Sequence, residues 1–333
     1  MAIAQTADKV SAAADRRPAL GRRIAANGFL PLAVVALLAI FFALMSDAFL
    51  SLRNLAALLS QSSTLLLACT GATFVILMGS IDLSVGAIVL LVGSVIVKVI
   101  NLVGAGLSTV VIGMGLGTLL GFANGVIFAF GAIPSFVVTL GSLSVFTGLA
   151  DELLQGQAIE YHSTAIDNLA IGQFVPHVPN IALIALAAWA AMVFVCFRTR
   201  FGRYMYVIGG GEAVARTSGV PTLRYKLYAF MVSGMMAGLA GTLAVARVGA
   251  AGPTLGSDLL LNSLAAIVVG GTSLSGGEGG MHRTLLGVLI ITGLDNGLNL
   301  MGVGEYVQMV VKGLVVIAAV LVSQDRTKIS IVK

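Results

Sequence analysis

Arg198-Thr-Arg-Phe-Gly-Arg-Tyr-Met-Tyr-Val-Ile-Gly-Gly-Gly-Glu-Ala-Val-Ala-Arg-Thr-Ser-Gly-Val-Pro221, running on to Arg224 and Lys226, interrupts an otherwise apolar chain. It carries six of the nineteen Lys/Arg residues and a single acid, Glu212. Long apolar runs flank it on both sides, and a basic connection between such runs belongs on the cytoplasmic face of a membrane. Inside it, Gly209 to Gly211 on one side and Gly219 and Pro221 on the other bracket a Glu-Ala-Val-Ala-Arg body. Those are start and stop signals for a short helix. A capped helix held along the cytoplasmic surface suits the docking of a soluble partner. The segment therefore argues for an integral membrane protein driven from outside itself.

The remainder of the chain supports that class. Of 333 residues, 58% are apolar and 10% charged, and the mean hydropathy is +1.03. An ordinary soluble domain carries about 25% charged residues. Several runs exceed the ~18 apolar residues that mark a membrane-crossing helix. The net charge of +5 gathers in connections, so it reports topology and gives no sign of nucleic-acid binding. Cys69 and Cys196 both lie in apolar runs, which indicates no disulfide framework. Arg16, Arg17, Arg22 and Arg23 precede the run from Phe29 to Met45, in the manner of a secretory signal. That run is longer than a signal core and no small-x-small site follows, so it reads as an uncleaved first span.

Apolar spans are predicted near 28–46, 55–79, 83–103, 106–130, 133–150, 180–197, 226–248, 259–272, 284–301 and 305–323. The fold class is an all-α polytopic bundle of about ten transmembrane helices. One domain covers 28–323, between cytoplasmic tails at 1–27 and 324–333. Only Ser80-Ile81-Asp82 separates the second span from the third, and 259–272 is short for a crossing. Either can be a broken or re-entrant helix, tolerated where protein encloses the backbone. Crossing parity tests the map. The four N-terminal arginines, the 198–226 connection, and Arg326, Lys328 and Lys333 all fall inside. The 151–179 connection falls outside, and holds Asp151, Glu152, Glu160 and Asp167 without any Lys or Arg.

Gly113, Gly117, Gly121 and Gly125 recur every fourth residue and so share one helix stripe. Ser233, Gly234, Ala237, Gly238 and Gly241 form a second small-residue cluster. Both allow close backbone approach, either within one subunit or between subunits.

The dipeptide Gly-Lys is absent, so a Gly-x4-Gly-Lys-Ser/Thr phosphate cradle cannot be built. Gly270 to Gly280 holds six glycines in eleven residues but lacks that lysine and joins two spans. It reads as a tight inner loop close to the basic connection. His-Glu-x-x-His and Gly-x-Ser-x-Gly are also absent, and His162, His177 and His282 fall in connections. The chain reads as no enzyme, with no catalytic residue and no metal site.

Charged residues within spans are functional hypotheses by default. Asp82, in Ser80-Ile-Asp-Leu-Ser-Val-Gly86, either caps a helix beginning near Leu83 or lines a translocation path together with Ser84. Asp295 and Lys312 each lie within a span and can pair across two helices; the other reading has Lys312 reaching an interface. Asn124, Asn262, Asn296 and Asn299 are amides that can bond another helix or a polyol substrate.

These residues also carry a resemblance. Ile81-Asp-Leu-Ser-Val-Gly86, Gly202-Arg-Tyr-Met-Tyr-Val-Ile-Gly-Gly210, Glu212-Ala213, Arg216-Thr-Ser-Gly219, Val245-Ala-Arg247, Gly270-Gly-Thr-Ser-Leu-Ser-Gly-Gly277 and Asn296-Gly-Leu-Asn-Leu300 occur in order. With them the chain resembles, nearly end to end, the permease subunits of bacterial ABC importers for ribose, xylose and related monosaccharides. The resemblance implies a multi-pass inner-membrane protein that pairs with a second permease copy, the same or different. It also implies a cytoplasmic ATP-binding subunit that holds ATP and Mg, and a periplasmic sugar-binding protein. This chain would bind no cofactor and, besides membrane lipid, would take a ribose-like sugar by alternating access. Arg203, Gly209, Gly210, Glu212, Ala213, Arg216, Ser218 and Gly219 would couple to the ATPase, with Glu212 to Gly219 as the coupling helix. Asp82, Ser84, Asn262, Asn296 and Asn299 are candidates for the path.

The sequence departs from the family where Ser80 replaces a usual Gly, Gly211 a usual Asn, and Leu260 and Asn262 a usual acidic pair. Asp295-Asn296-Gly297 stands for Asn-Asn-Gly. The competing class is an ion-coupled secondary transporter of a small polar solute, which would use Asp82, Asp295 or Lys312 as relays. Such a transporter gives no reason for a docking helix.

Overall fold

The computed structural model describes residues 29–323, so the predicted tails and their arginines lie outside the described residues. The chain forms helices α1 (Phe29–Met45), α2 (Leu52–Leu77), α3 (Val85–Val103), α4 (Ser108–Gly131) and α5 (Ser135–Leu154). A two-residue strand β1 (Ile159–Glu160), the short α6 (Thr164–Ala170) and α7 (Asn180–Arg198) follow. Next come α8 (Arg200–Gly210), α9 (Glu212–Thr217), α10 (Thr222–Val248), β2 (Ala250–Ala251), α11 (Leu259–Val269), α12 (Met281–Leu300) and α13 (Glu305–Ser323). Six of these, α2, α3, α4, α5, α7 and α10, are long and apolar enough to cross a membrane. The molecule is an all-α polytopic membrane bundle with one minimal antiparallel ribbon, β1 on β2.

Helix α10 is the axis of the bundle. Its 27 residues give a rod about 40 Å long, and it carries buried residues from Thr222 through Ala246. One end of the molecule gathers α8, α9 and the glycine loop; the other gathers the ribbon and α6.

Antiparallel α4 lies along α10 with backbone on backbone. A Cβ at Gly117 would strike the Gly234 carbonyl and the Gly238 backbone, and one at Gly234 would strike Gly117 and Gly121. Gly113 faces Thr242, Gly121 faces Phe230 and Gly125 faces Leu227 in the same register. The two small-residue clusters of the sequence are thus each other's partners inside one chain. Dispersion and weak polar contacts grow as backbones approach, which is how apolar helices hold together in lipid.

Two stretches within the bundle are not helical. Met78 to Ser84 separates α2 from α3, and 252–258 precedes α11. Helix α11 has 11 residues, about 16 Å, too short for a ~30 Å hydrocarbon core. The succession of turns before it runs along α3: Leu255 packs on Gly93 and Gly256 on Gly86. The span predicted at 259–272 is therefore a short helix, preceded by turns at 252–258 and followed by the glycine loop.

Two features of the basic connection and the outer one were not foreseen. Arg200–Gly210 is a helix of its own preceding α9, and 151–179 contains α6 and β1. His282 lies in the first turn of α12 and not in a loop.

Candidate functional site

The basic connection builds a platform. Thr199 caps α8, its Oγ1 accepting from the Gly202 N–H at 3.4 Å. Met205 and Ile208 of α8 are buried, while Arg203 is exposed. Burial raises the Tyr206 hydroxyl above its ordinary value, as does the neighbouring Cys196 thiol; it donates to the Gly279 carbonyl at 3.2 Å.

Gly209 is wedged where three turns meet, with any Cβ there striking the Leu77 carbonyl and the backbone of Gly276 and Gly277. The Gly277 N–H donates to that same Leu77 carbonyl at 2.9 Å. The glycine loop is therefore a spacer that lets the ends of α2 and α8 come together. Gly210 is exposed beside it.

Helix α9 ends in a Schellman motif. The Val220 N–H reaches the Ala215 carbonyl at 3.0 Å and the Gly219 N–H reaches Arg216 at 3.1 Å, with Gly219 at φ +81°. That left-handed position is why glycine is required there. Ala215 and Val220 are buried anchors. Ala213, Arg216, Thr217, Ser218 and Gly219 are exposed, and Val214 is 69% exposed. Glu212 turns inward instead, its Oε1 lying 2.6 Å from Lys226 Nζ and 3.6 Å from Arg216.

The break between α2 and α3 is a buried polar centre. Asp82 Oδ1 accepts from the Ser84 N–H at 3.0 Å and the Ser84 hydroxyl at 2.6 Å. Its Oδ2 accepts from the Ser233 hydroxyl at 2.8 Å. The chain of donors continues from Asn124 to Ser84 Oγ at 2.8 Å and from Ser142 to Asn124 Oδ1 at 2.5 Å.

Ser135 and Thr139 on α5 take up the free Ile81 and Leu83 N–H groups at 3.1 and 3.0 Å. Non-helical backbone within a membrane is stable only when its polar groups are paired in this way. Asp82 is 3% exposed and Ser84 fully buried. The helix expected near Leu83 begins at Val85 with Ser84 as its cap position, so Asp82 serves the turn before the helix.

At the opposite end, Lys312 Nζ lies 3.3 Å from Asp295 Oδ1, both side chains being 13% exposed. The next residue, Asn296, exchanges two amide hydrogen bonds with Asn54, at 2.8 and 2.9 Å. Asn299 is exposed near the end of α12, and Asn262 is half-buried on α11. The structure thus brings together Asp82, Ser84 and Asn124 in one cluster and Asp295, Lys312 and Asn296 in another, while Asn262 and Asn299 join neither.

Residues 54–320 match the family described as the permease component of the branched-chain amino acid transport system. The chain belongs to this permease family. It is 37% identical over 303 residues to the ribose import permease protein RbsC of Escherichia coli K12, covering 89% of this chain and 92% of that one. The RbsC of Bacillus subtilis is 36% identical over 292 residues, covering 87% and 91%. The D-allose transport system permease protein AlsC of E. coli K12 is 35% identical over 298 residues, covering 88% and 89%. No solved structure matches.

In this permease the sequence reading missed the partners that complete each cluster. Lys226, itself lying over the Phe128 ring, pairs with Glu212, Ser142 and Ser233 close the Asp82 network, and Asn54 completes Asn296. Lys226 carried a signal, since it ends the basic segment at a point where α10 has begun. Asn54 and Ser142 carried none, because a lone amide or hydroxyl in an apolar helix gives no sequence separation to its partner.

Proposed function

We propose that the permease is the membrane subunit of an ATP-driven importer that carries a ribose-like monosaccharide across a bacterial inner membrane by alternating access. The observation that carries this reading is similarity over nearly the full length of ribose and allose permeases. The chain carries no Gly-Lys phosphate cradle of its own, so the energy is assigned to a separate ATP-binding subunit holding ATP and Mg.

Helix α9 with its exposed Val214 and Arg216 faces that subunit. A periplasmic sugar-binding protein delivers substrate at the opposite end, and two permease copies enclose the path. Ten crossings, with both termini inside, require α1, the 252–258 turns with α11, α12 and α13 to add to the six clear spans. Asn296 and Asn54 at the outer end offer amide donors and acceptors suited to sugar hydroxyls.

The test is uptake of radiolabelled ribose, xylose, allose and, because of the family description, leucine in liposomes holding permease, ATPase and binding protein. Ribose or another monosaccharide should accumulate only with ATP and an intact ATPase. Uptake that persists with a catalytically dead ATPase would favour an ion-coupled transporter using Asp295 and Lys312.

A further inference from the structure

We infer that Lys226 is the positioning residue that ties helix α9 to the bundle, so that displacement of α9 passes into α4 and α10 together. The inference rests on the docking role proposed for α9 and adds the residue that carries the motion inward. Lys226 belongs to α10, yet its ammonium touches two other elements. It lies 2.6 Å from Glu212 Oε1 at the start of α9 and 4.8 Å from the centre of the Phe128 ring on α4.

Exposure falls in order across the contact, from 66% for Arg216 through 38% for Glu212 to 13% for Lys226. Arg216 is therefore the solvent-side partner of the carboxylate and Lys226 the inner one. A cation over an aromatic face is attracted by the ring quadrupole, and more so where water is excluded. The ammonium is held from both sides.

Among the described residues, the other ties of α9 to the bundle include the 218–221 connection into α10 and two buried side chains. Its own buried anchors are Ala215 and the following Val220. A cleft of about 450 Å³, lined by Ile133 and Leu223 among others, opens beside the three charges. The ion pair bridges that gap. Behind it, α4 and α10 touch backbone to backbone from Gly113 to Gly125, so neither can slide without the other. The same two helices supply Asn124 and Ser233, which hold Ser84 and Asp82 in the α2–α3 break. A push on Glu212 thus reaches the break through rigid contacts. Losing Lys226 leaves Glu212 answered by Arg216 at the surface, which preserves the fold but cuts the inward link.

The experiment uses the full complex of permease, ATPase and binding protein in liposomes, comparing wild type, Lys226→Met, Lys226→Arg and Val214→Asp. One readout is ribose carried per ATP hydrolysed, and a second is co-purification of the ATPase. A third, needing neither partner nor sugar, is the distance distribution between spin labels at S218C on the end of α9 and F130C on α4.

K226M should lower ribose per ATP by about fivefold and broaden the distance distribution, with ATPase co-purification unchanged. K226R should behave as wild type on all three. Wild-type coupling and distances in K226M would overturn the inference, as would equal failure of K226M and K226R, since only the former lacks the charge. V214D reports separately on docking: if it keeps the ATPase bound, the docking role fails. Should wild type not carry ribose, the substrate reading fails and the distance distributions alone decide the role of Lys226.

Discussion

Asp82 receives three hydrogen bonds from two serines and has no cation within the described network. The donors converge on it from the turn that precedes α3 and from α10, so the carboxylate pairs polar groups of the break. Asn keeps one acceptor oxygen for the Ser84 donors, and the Ser233 hydroxyl can rotate to accept from the new amide. Asp82→Asn should therefore insert, fold and retain most of its thermal stability. Asp82→Leu orphans the buried Ser84 N–H and should cost about 1–3 kcal/mol, measured as a lower melting temperature in detergent. If Asn abolishes uptake while melting normally, negative charge is needed for transport itself.

Tyr161 offers a parallel case in the outer connection. Its hydroxyl donates to Asp167 at 2.9 Å, and burial together with Asp167 raises its pKa above the ordinary value. A raised folded-state value means its contribution is complete below the unfolded value near 10 and fades only as pH rises through the folded one. Tyr161→Phe should thus destabilise equally at neutral and mildly acidic pH, by about 1 kcal/mol. A thermal melt that shifts at only one of those pH values would contradict this origin.

At the scale of elements, the α4–α10 contact is the most demanding in the bundle. Gly117→Val places branched carbon where the Gly234 carbonyl stands. Overpacking of this kind costs about 1–3 kcal/mol or more, and fluorescence-detected size exclusion after heating should show early loss of the monodisperse peak. Gly141, which has open space around it, is the control: Gly141→Ala should melt as wild type does.

The long helices were legible because each is an apolar run bounded by Gly, Pro or charge. The ends of α9 were legible too, since glycine before and glycine with proline after admit few backbones. Helix α8 was not legible, for Arg200 to Gly210 reads as loop composition. It is helical because Thr199 caps it and because Met205 and Ile208 find a buried seat under α2 and α10. The pairing of the glycine stripe was likewise open. A stripe states that a backbone can approach and says nothing of which one.

Across the whole molecule, the two polar ends define sides that can be tested directly. Cys69 and Cys196 are both buried, so single cysteines introduced elsewhere report without interference. Phe174→Cys, at a position 88% exposed on the 151–179 connection, should react with an impermeant maleimide in intact cells. Val214→Cys should react only after permeabilisation. The reverse pattern would invert the proposed orientation and place α9 where no ATPase can reach it.

Some properties followed from residue order alone. Membrane embedding, the lack of a phosphate cradle and the punctuation of α9 are local, set by runs of apolar residues and by glycine. Tertiary structure decided the rest. It turned Glu212 inward to Lys226, sealed Asp82 between Ser84 and Ser233, and set Gly117 against Gly234. The Ser233–Asp82 and Gly117–Gly234 contacts join residues far apart in the chain, and the free energy that selects them comes from burial and close packing that no single segment can make by itself.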